Sequence, residues 1–214
     1  MKKLFVIAII LMAFLFVACG SKPATTPAPV AAKPATPTPT APATAPKPSF
    51  QVDPAAIPAK DYVGDEIYLS ANDCKAWTID GEKEVEGFIM KGTAEKPMNV
   101  EPLGKEPRTA PDGEIFDKRI KLNGTGGLDF RSVTFSVAKP SKLYVYNNSS
   151  SKTEARTLVV SQIIDGALVE VGTIVAPIDD TANAGIGMVE LPGAGDYLIT
   201  SKKSGINIYM ILIR

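Results

Sequence analysis

The feature that most constrains the fold is a period-two pattern of apolar residues that runs from about residue 60 to the C-terminus. Short runs alternate with polar residues between Gly, Pro, Asn and Asp turns, and helical spacing is nearly absent. Many short strands with regularly spaced turns indicate an all-β fold, a jelly-roll-like antiparallel β-sandwich. The pattern predicts strands at residues 66–70, 85–90, 119–122, 132–137, 142–147, 157–163, 168–175, 187–191, 196–201 and 206–213.

The same pattern indicates which sides of two strands are buried. In the predicted strand 132–137, Val133, Phe135 and Val137 face one way and Ser or Thr residues face the other, as in a half-solvated strand. The predicted strand 206–213 is apolar on both faces apart from Asn207. This composition predicts a central strand that is covered on each side.

The segment that precedes this region cannot bury a core. Residues 20–59 are almost entirely Pro, Ala, Thr and Lys, a composition that favours extended polyproline II. At about 3.1 Å per residue, such a stalk could reach on the order of 100 Å. A Pro-recognition ligand and an O-glycosylation target are alternatives. We predict a disordered Pro-rich linker over residues 19–59 and one β-sandwich domain over residues 60–214.

The N-terminus has the features of a secretory signal. Lys2 and Lys3 precede an apolar run over residues 4–17, which is shorter than the roughly 20 residues needed to span a bilayer. The tetrapeptide Phe16-Val17-Ala18-Cys19 resembles the lipobox of bacterial lipoproteins. We therefore predict a signal peptide over residues 1–18, lipidation of Cys19 and a permanent membrane anchor in the bacterial cell envelope, at the outer membrane or cell surface. An ordinary signal peptide with an incidental cysteine is the alternative.

Residue composition excludes several functions. The chain has no histidine, which removes Ser-His-Asp and Cys-His catalysis and the commonest zinc sites. Its net charge is +0 and its globular part has no basic block, so we expect no nucleic-acid partner. We expect no enzymatic activity, and a polysaccharide lyase or hydrolase that uses Lys, Arg or carboxylates is the alternative. If lipid occupies Cys19, Cys74 remains as either a reactive thiol or a small half-buried residue.

Residues 76–213 resemble a β-sandwich domain that is an accessory module of bacterial pectate lyases and other polysaccharide-degrading enzymes. The resemblance rests on an ordered set of segments, namely DKRIKLNGTG (117–126), RSVTF (131–135), KLYVYNNSSS (142–151), ARTL (155–158), GAGDYLI (193–199) and SGINIY (204–209). It implies a non-catalytic, carbohydrate-binding-like jelly roll. A protein-interaction or structural envelope module on the same sandwich is the rival function.

Candidate ligand-binding residues follow partly from this resemblance. Arg119, Arg131 and Arg156 match arginines of the family pattern, and guanidinium groups bind the carboxylates of uronic acids bidentately. If they converge on one face with Lys121, they form a site for an acidic polysaccharide. The alternative is that each arginine braces the sandwich through carbonyl or carboxylate partners.

Aromatic and acidic residues leave further alternatives open. Tyr144 and Tyr146 share one face of a strand and form either a stacking platform for sugar rings or part of the core, whereas Trp77 and Tyr209 are expected in the core. We expect no cofactor. Oxygen ligands on a turn can hold calcium, and jelly-roll carbohydrate modules often contain a structural calcium ion. The alternatives for the acidic turn are a structural calcium site or a solvated surface, and its residues are Asp112, Glu114 and Asp117.

Overall fold

The computed structural model describes residues 66–104, 106–179 and 183–214, together with the backbone of Phe50–Gln51. The predicted signal peptide, Cys19 and the rest of the linker lie outside the described residues. None of the described residues belongs to a helix long and apolar enough to cross a membrane. The strands are β1 Phe50–Gln51, β2 Ile67–Ser70, β3 Trp77–Ile79, β4 Glu82–Val85, β5 Phe88–Lys91, β6 Met98–Pro102, β7 Arg108–Thr109, β8 Ile115–Phe116, β9 Lys118–Lys121, β10 Ser132–Val137, β11 Ser141–Ser149, β12 Arg156–Ile164, β13 Ala167–Ala176, β14 Gly185–Leu191, β15 Gly195–Ser201 and β16 Ile206–Ile213.

Two antiparallel sheets hold most of these strands. The eight-stranded sheet has the order β1-β14-β11-β16-β9-β6-β3, and β2 also pairs with β16. The six-stranded sheet has the order β13-β12-β15-β10-β5-β4, while β7 and β8 form a separate two-stranded sheet. Buried side chains of both sheets share one hydrophobic cluster, the main core. The predicted antiparallel β-sandwich is therefore confirmed.

The main core follows the predicted alternation of β10. Val133, Phe135 and Val137 all lie in this core, and the Phe135 ring stacks on Tyr197 at 6.0 Å between centroids. The opposite side of β10 is less solvated than predicted, because Ser132 is fully buried and only 7% of Thr134 is exposed. Strand β10 lies between β15 and β5 in the sheet, and the Thr134 hydroxyl donates to the carbonyl of Ile89 on β5 at 3.4 Å.

The last strand, β16, is central, as its apolar pattern predicts. All of its residues are buried, and it lies between β11 and β9. A shift of register opposite Tyr146 and Asn147 lets two consecutive residues of β16, Tyr209 and Met210, join a second cluster on the outer face of the sheet. This cluster, the second core, comprises Ala110, Phe116, Tyr144, Tyr146, Ala184, Ile186, Tyr209, Met210 and Leu212.

Several predicted strand boundaries are wrong. The single strand predicted over 85–90 is a hairpin of β4 and β5, because Glu86 and Gly87 both have positive φ values, +50° and +79°. Two such residues form the turn that matches the twist of an antiparallel hairpin. The pattern also misses β3, β6, β7 and β8, which are two to five residues long. Strand β1 falls inside the predicted linker and pairs with β14.

Candidate functional site

A row of polar side chains crosses the outer face of the eight-stranded sheet. These side chains occupy register positions directly opposite one another on neighbouring strands. In order across β3, β6, β9, β16 and β11, they are Thr78, Asn99, Lys121, Asn207 and Asn148. The residues that alternate with them, such as Val100 and Ile120, lie in the main core, so this polar row faces outward. Adjacent strands are about 4.8 Å apart, so the row is roughly 19 Å long.

The row changes from exposed to buried along its length. Thr78 is exposed and Asn99 and Lys121 are half-buried, and we call these three residues the open part of the row. Asn207 and Asn148 are fully buried. A ligand in solution can therefore reach the row at β3, β6 and β9, while the amides behind them belong to the interior.

Hydrogen bonds order the open part. The Asn99 amide donates to the Thr78 hydroxyl at 3.2 Å and accepts from the Asn123 amide at 2.5 Å. Asn123 also donates to the carbonyl of Pro97 at 3.1 Å. These bonds fix the orientation of three short polar side chains, which reduces the entropy that they lose when a ligand binds.

The buried end of the row is a polar network. The Asn148 Oδ1 atom accepts from the Asn207 amide at 2.9 Å and from the Tyr209 hydroxyl at 2.8 Å. Its Nδ2 atom donates to Asp179, which also accepts from Arg108 at 2.9 Å. Burial raises the pKa of Tyr209 to about 12, so its hydroxyl remains a donor at neutral pH. Asn207 Oδ1 is buried and has no hydrogen-bond partner among the described residues.

Charged side chains flank the open part. Glu101 lies opposite Arg119 across β6 and β9, and its Oε1 atom accepts from Arg119 at 2.6 and 3.0 Å. Lys121 Nζ is 3.4 Å from the same oxygen. Partial burial acts to raise the pKa of the Glu101 carboxyl, but the hydrogen bonds and charges of Arg119 and Lys121 together hold it below its ordinary value. Glu101 is therefore ionised at neutral pH and neutralises part of the local positive charge.

The structure brings together only part of the predicted arginine site. Arg119 and Lys121 share the outer face of the eight-stranded sheet, as the acidic-glycan hypothesis requires. Arg131 and Arg156 instead lie at the start of strands of the six-stranded sheet. Arg156 donates to the Ser150 hydroxyl at 2.7 Å and to the carbonyl of Gly205 at 2.5 Å, which is the bracing alternative.

The tyrosine pair does not form an exposed platform. Tyr144 is 8% exposed and Tyr146 is 1% exposed, and both rings lie in the second core. The Tyr146 hydroxyl donates to Asp112 at 2.5 Å. The platform hypothesis assumed that one face of β11 is open, whereas both faces are covered. Trp77 packs against the main core and Tyr209 is fully buried, as expected.

The acidic turn is built from internal hydrogen bonds. Asp112 accepts from the backbone of Glu114 at 3.2 Å as well as from Tyr146. Asp117 donates its backbone N–H to Asn72 at 3.0 Å. No three acidic, His or Cys side chains within the described ranges are grouped so that they could hold a metal ion. The turn therefore supplies no calcium cage in the described structure.

Cys74 is the small buried residue of the two alternatives. It is 2% exposed, and its thiol donates to the carbonyl of Ser70 at 3.4 Å. Burial raises the pKa of the Cys74 thiol to about 11, and the charge of Asp73 adds to this effect. A thiol that remains protonated at neutral pH is a poor nucleophile.

Sequence reasoning missed most of the residues that surround the open part. Asn99 and Glu101 belong to β6, which was not predicted. One signal was present in the sequence. Asn207 is the single polar residue of β16, and a buried amide in an apolar strand needs polar partners.

No protein-family model matches this chain, and no curated protein matches it. The chain is similar to parts of several solved structures. The isomalto-dextranase of Arthrobacter globiformis T6, complexed with panose, is 18% identical over 54% of this chain and 20% of its own, with a TM-score of 0.37. The chain thus spans only a fifth of that enzyme.

Two further matches are domains that the chain covers almost completely. The K1 cleaved adhesin domain of Lys-gingipain from Porphyromonas gingivalis W83 is 11% identical over 71% of this chain and 98% of its own, with a TM-score of 0.42. The C-terminal CBM6 of a marine laminarinase from Zobellia galactanivorans is 12% identical over 70% of this chain and 98% of its own, with a TM-score of 0.37. Carbohydrate-binding modules and adhesin domains are therefore among the structures that this β-sandwich is similar to.

Proposed function

We propose that this chain is a lipid-anchored protein of the bacterial cell envelope whose β-sandwich binds an acidic polysaccharide without catalysis. The observation that carries the proposal is the open part of the polar row, in which Thr78, Asn99 and Lys121 lie side by side on three strands. Arg119 and Asn123 border it. The surface combines hydroxyl, amide and cationic groups on a rigid sheet.

These groups fit the chemistry of an acidic sugar chain. Sugar hydroxyls both donate and accept hydrogen bonds, and so do the side chains of Thr78 and Asn99. Lys121 and Arg119 supply charge-assisted donors for a carboxylate. The open part extends over roughly 10 Å across three strands, which suits a repeating chain better than one small molecule.

The state of Glu101 supports binding rather than catalysis. Its carboxylate lies 3.4 Å from Lys121 Nζ in the open part, and Arg119 and Lys121 hold its pKa below the ordinary value. An ionised carboxylate of low pKa is a poor general acid at neutral pH. Its role in this surface is to orient the two cations.

The lipid anchor is supported by the N-terminal sequence. Lys2 and Lys3, the apolar residues 4–17 and the Ala18-Cys19 pair give the order of charge, apolar run and lipidated cysteine that a bacterial lipoprotein needs. Two or more acyl chains on Cys19 provide stable attachment, because each buried methylene contributes about 0.8 kcal/mol. The linker then presents the domain away from the bilayer.

Retention of the full-length chain, in detergent, on immobilised polygalacturonate tests the binding proposal. We expect Lys121→Gln to lower the affinity about tenfold, because a charge-assisted hydrogen bond is lost. Lys83→Gln is the matched control, since Lys83 is exposed on β4 of the other sheet. Failure of the wild-type chain to bind any of a broad panel of glycans would overturn the proposal, as would equal affinities of the two variants.

Fractionation of cells that produce the chain tests the anchor. We expect the mature wild-type protein in the membrane fraction and the mature Cys19→Ser protein in the soluble fraction. Uncleaved precursor is excluded from the comparison, because its apolar signal peptide can itself hold it in the membrane. Equal distribution of the two mature proteins would contradict lipidation at Cys19.

A further inference from the structure

Three loops meet at the end of the sandwich beside the open part of the polar row. They comprise residues 123–131, 149–156 and 201–206, and we call them the loop end. The Thr125 hydroxyl donates to the carbonyl of Lys203 at 2.9 Å, and the Ser150 hydroxyl donates to the carbonyl of Gly205 at 2.9 Å. These contacts join the three loops into one surface.

The two predicted arginines of the loop end differ in their contacts. The Arg156 guanidinium joins Ser150 to Gly205, and its side chain is only 15% exposed. Arg131 lies against Gly124, where an added Cβ would come within 2.6 Å of Nη1. Gly124 has a φ of +149° as well, a backbone conformation that favours glycine. Arg156 is therefore a structural part of this surface.

The lysines of the loop end are available to solvent. Lys152 and Lys202 are exposed, and the Lys203 side chain is 81% exposed. Lys203 Nζ is 3.5 Å from Glu154, an exposed pair that is screened by water and salt. The loops have a surplus of positive charge. They carry five cationic residues, Arg131, Lys152, Arg156, Lys202 and Lys203, and two acidic ones, Asp129 and Glu154.

The charge of the sheet face is balanced more closely. Arg119 and Lys121 share the carboxylate of Glu101, and Arg108 pairs with Asp179. The excess positive charge near the open part therefore lies in the loops. Because a long-range field depends on net charge, discrimination between acidic and neutral polymers should depend mainly on the loop end.

The loop end directly adjoins the row. Asn123, the first residue of one loop, donates to Asn99 in the open part. Gly205 precedes Asn207 by two residues, roughly 7 Å along the strand. The loops follow or precede β9, β11 and β16, which are neighbours in the sheet, so their line runs parallel to the row. A chain bound to the open part can therefore continue over Asn123 and Thr125, and the Thr125 hydroxyl contacts the carbonyl of Lys203.

We propose that the loop end is a second subsite that binds the carboxylates of the same polysaccharide chain whose hydroxyls contact the open part of the row. The inference rests on the proposed polysaccharide-binding function and assigns its acidic specificity to Lys152, Lys202 and Lys203.

The test compares two triple variants of the full-length chain in detergent. One is Lys152→Gln, Lys202→Gln and Lys203→Gln. The control is Lys75→Gln, Lys83→Gln and Lys142→Gln, which removes the same charge from exposed lysines outside both subsites. Affinity for polygalacturonate and for its methyl-esterified form is measured over a range of salt concentrations, with thermal unfolding as a check on folding.

We expect the loop-end variant to bind polygalacturonate about tenfold more weakly at low salt, with a shallower salt dependence and unchanged affinity for the esterified polymer. The control should retain the acid preference of the wild type. A loop-end variant that keeps this preference, or a control that loses it equally, overturns the subsite while the function of the row stands. Absence of binding by the wild type to either polymer overturns both.

Discussion

The outer face of the eight-stranded sheet has one half that is buried and one half that is accessible to solvent. Toward β11 and β14, Tyr144, Tyr146 and Ile186 are buried in the second core. Toward β3 and β6, Thr78 and Asn99 remain accessible. The apolar half is covered by side chains from the segment that contains β7 and β8. Whether a sheet face becomes core or binding surface thus depends on what covers it as well as on its alternation.

A substitution in the segment that covers the apolar half should produce the largest loss of stability. Phe116 is 1% exposed, stacks on Tyr209 at 5.4 Å between centroids and meets Tyr146 edge-on at 5.7 Å. We expect Phe116→Ala to lower the free energy of unfolding by about 3–5 kcal/mol, because it leaves a cavity in the second core. Denaturant-induced unfolding measures the loss.

The neighbouring residue provides the control. Ile115 is 58% exposed, so Ile115→Ala should change stability by less than about 1 kcal/mol. If the two alanine variants have the same stability, the second core does not contribute as a packed unit and the contrast between the two halves of the face fails.

The buried amides at the boundary between the halves should give the next largest effect. Asn148→Ala removes the acceptor of the Tyr209 hydroxyl and of the Asn207 amide, both in a fully buried position. Each unsatisfied group costs about 1–3 kcal/mol, so for the two groups together we expect a loss of about 2–6 kcal/mol in the free energy of unfolding. Chemical denaturation of the variant and the wild type under the same conditions measures this loss.

Asn99→Ala is the matched substitution in the open part. Asn99 occupies the same row, but its partners are accessible and water can replace the lost side chain. We expect a loss of less than about 1 kcal/mol. A larger loss for Asn99→Ala than for Asn148→Ala would contradict the division of the row into open and buried parts.

The sequence predicts the fold well because period-two alternation reports burial directly. The central position of β16 follows from its apolar residues on both faces, and the structure confirms it. The same reasoning left open whether Tyr144 and Tyr146 form a platform or part of the core, since an alternating strand next to a covering loop looks the same as one next to solvent. Alternation records the polarity of a face but not the distant segment that lies on it.

The candidate site was harder to predict because its parts are far apart in the chain. Asn99, Lys121 and Asn207 become neighbours only through the register of β6, β9 and β16. Arg119 and Lys121 were identified from the resemblance, but their shared partner Glu101 belongs to a strand that the pattern misses. Register is set by tertiary pairing, which a single strand's sequence does not encode.

The smallest predicted effect concerns the charges of the open half and depends on pH. The pKa of Glu101 is lower in the folded protein than its ordinary value, because Arg119 and Lys121 outweigh the effect of burial. The contribution of Glu101 to stability is therefore fully present above the pKa of the unfolded state, about 4.3, and is lost as pH falls through the lower pKa of the folded state. Since the group is about a third exposed, we expect less than about 1 kcal/mol.

Comparison of Glu101→Gln with the wild type at pH 7 and at pH 3 measures this contribution as a difference in the free energy of unfolding. The variant should be less stable at pH 7, and the difference should shrink as the pH falls, because the folded-state pKa of Glu101 is lowered and its contribution is lost on protonation. Glu190→Gln, at an exposed position of β14, controls for general charge effects. A stability difference that stays constant between the two pH values would show that the Glu101 carboxylate does not hold the two cations of the open half, and that half would then owe its order to the amides alone.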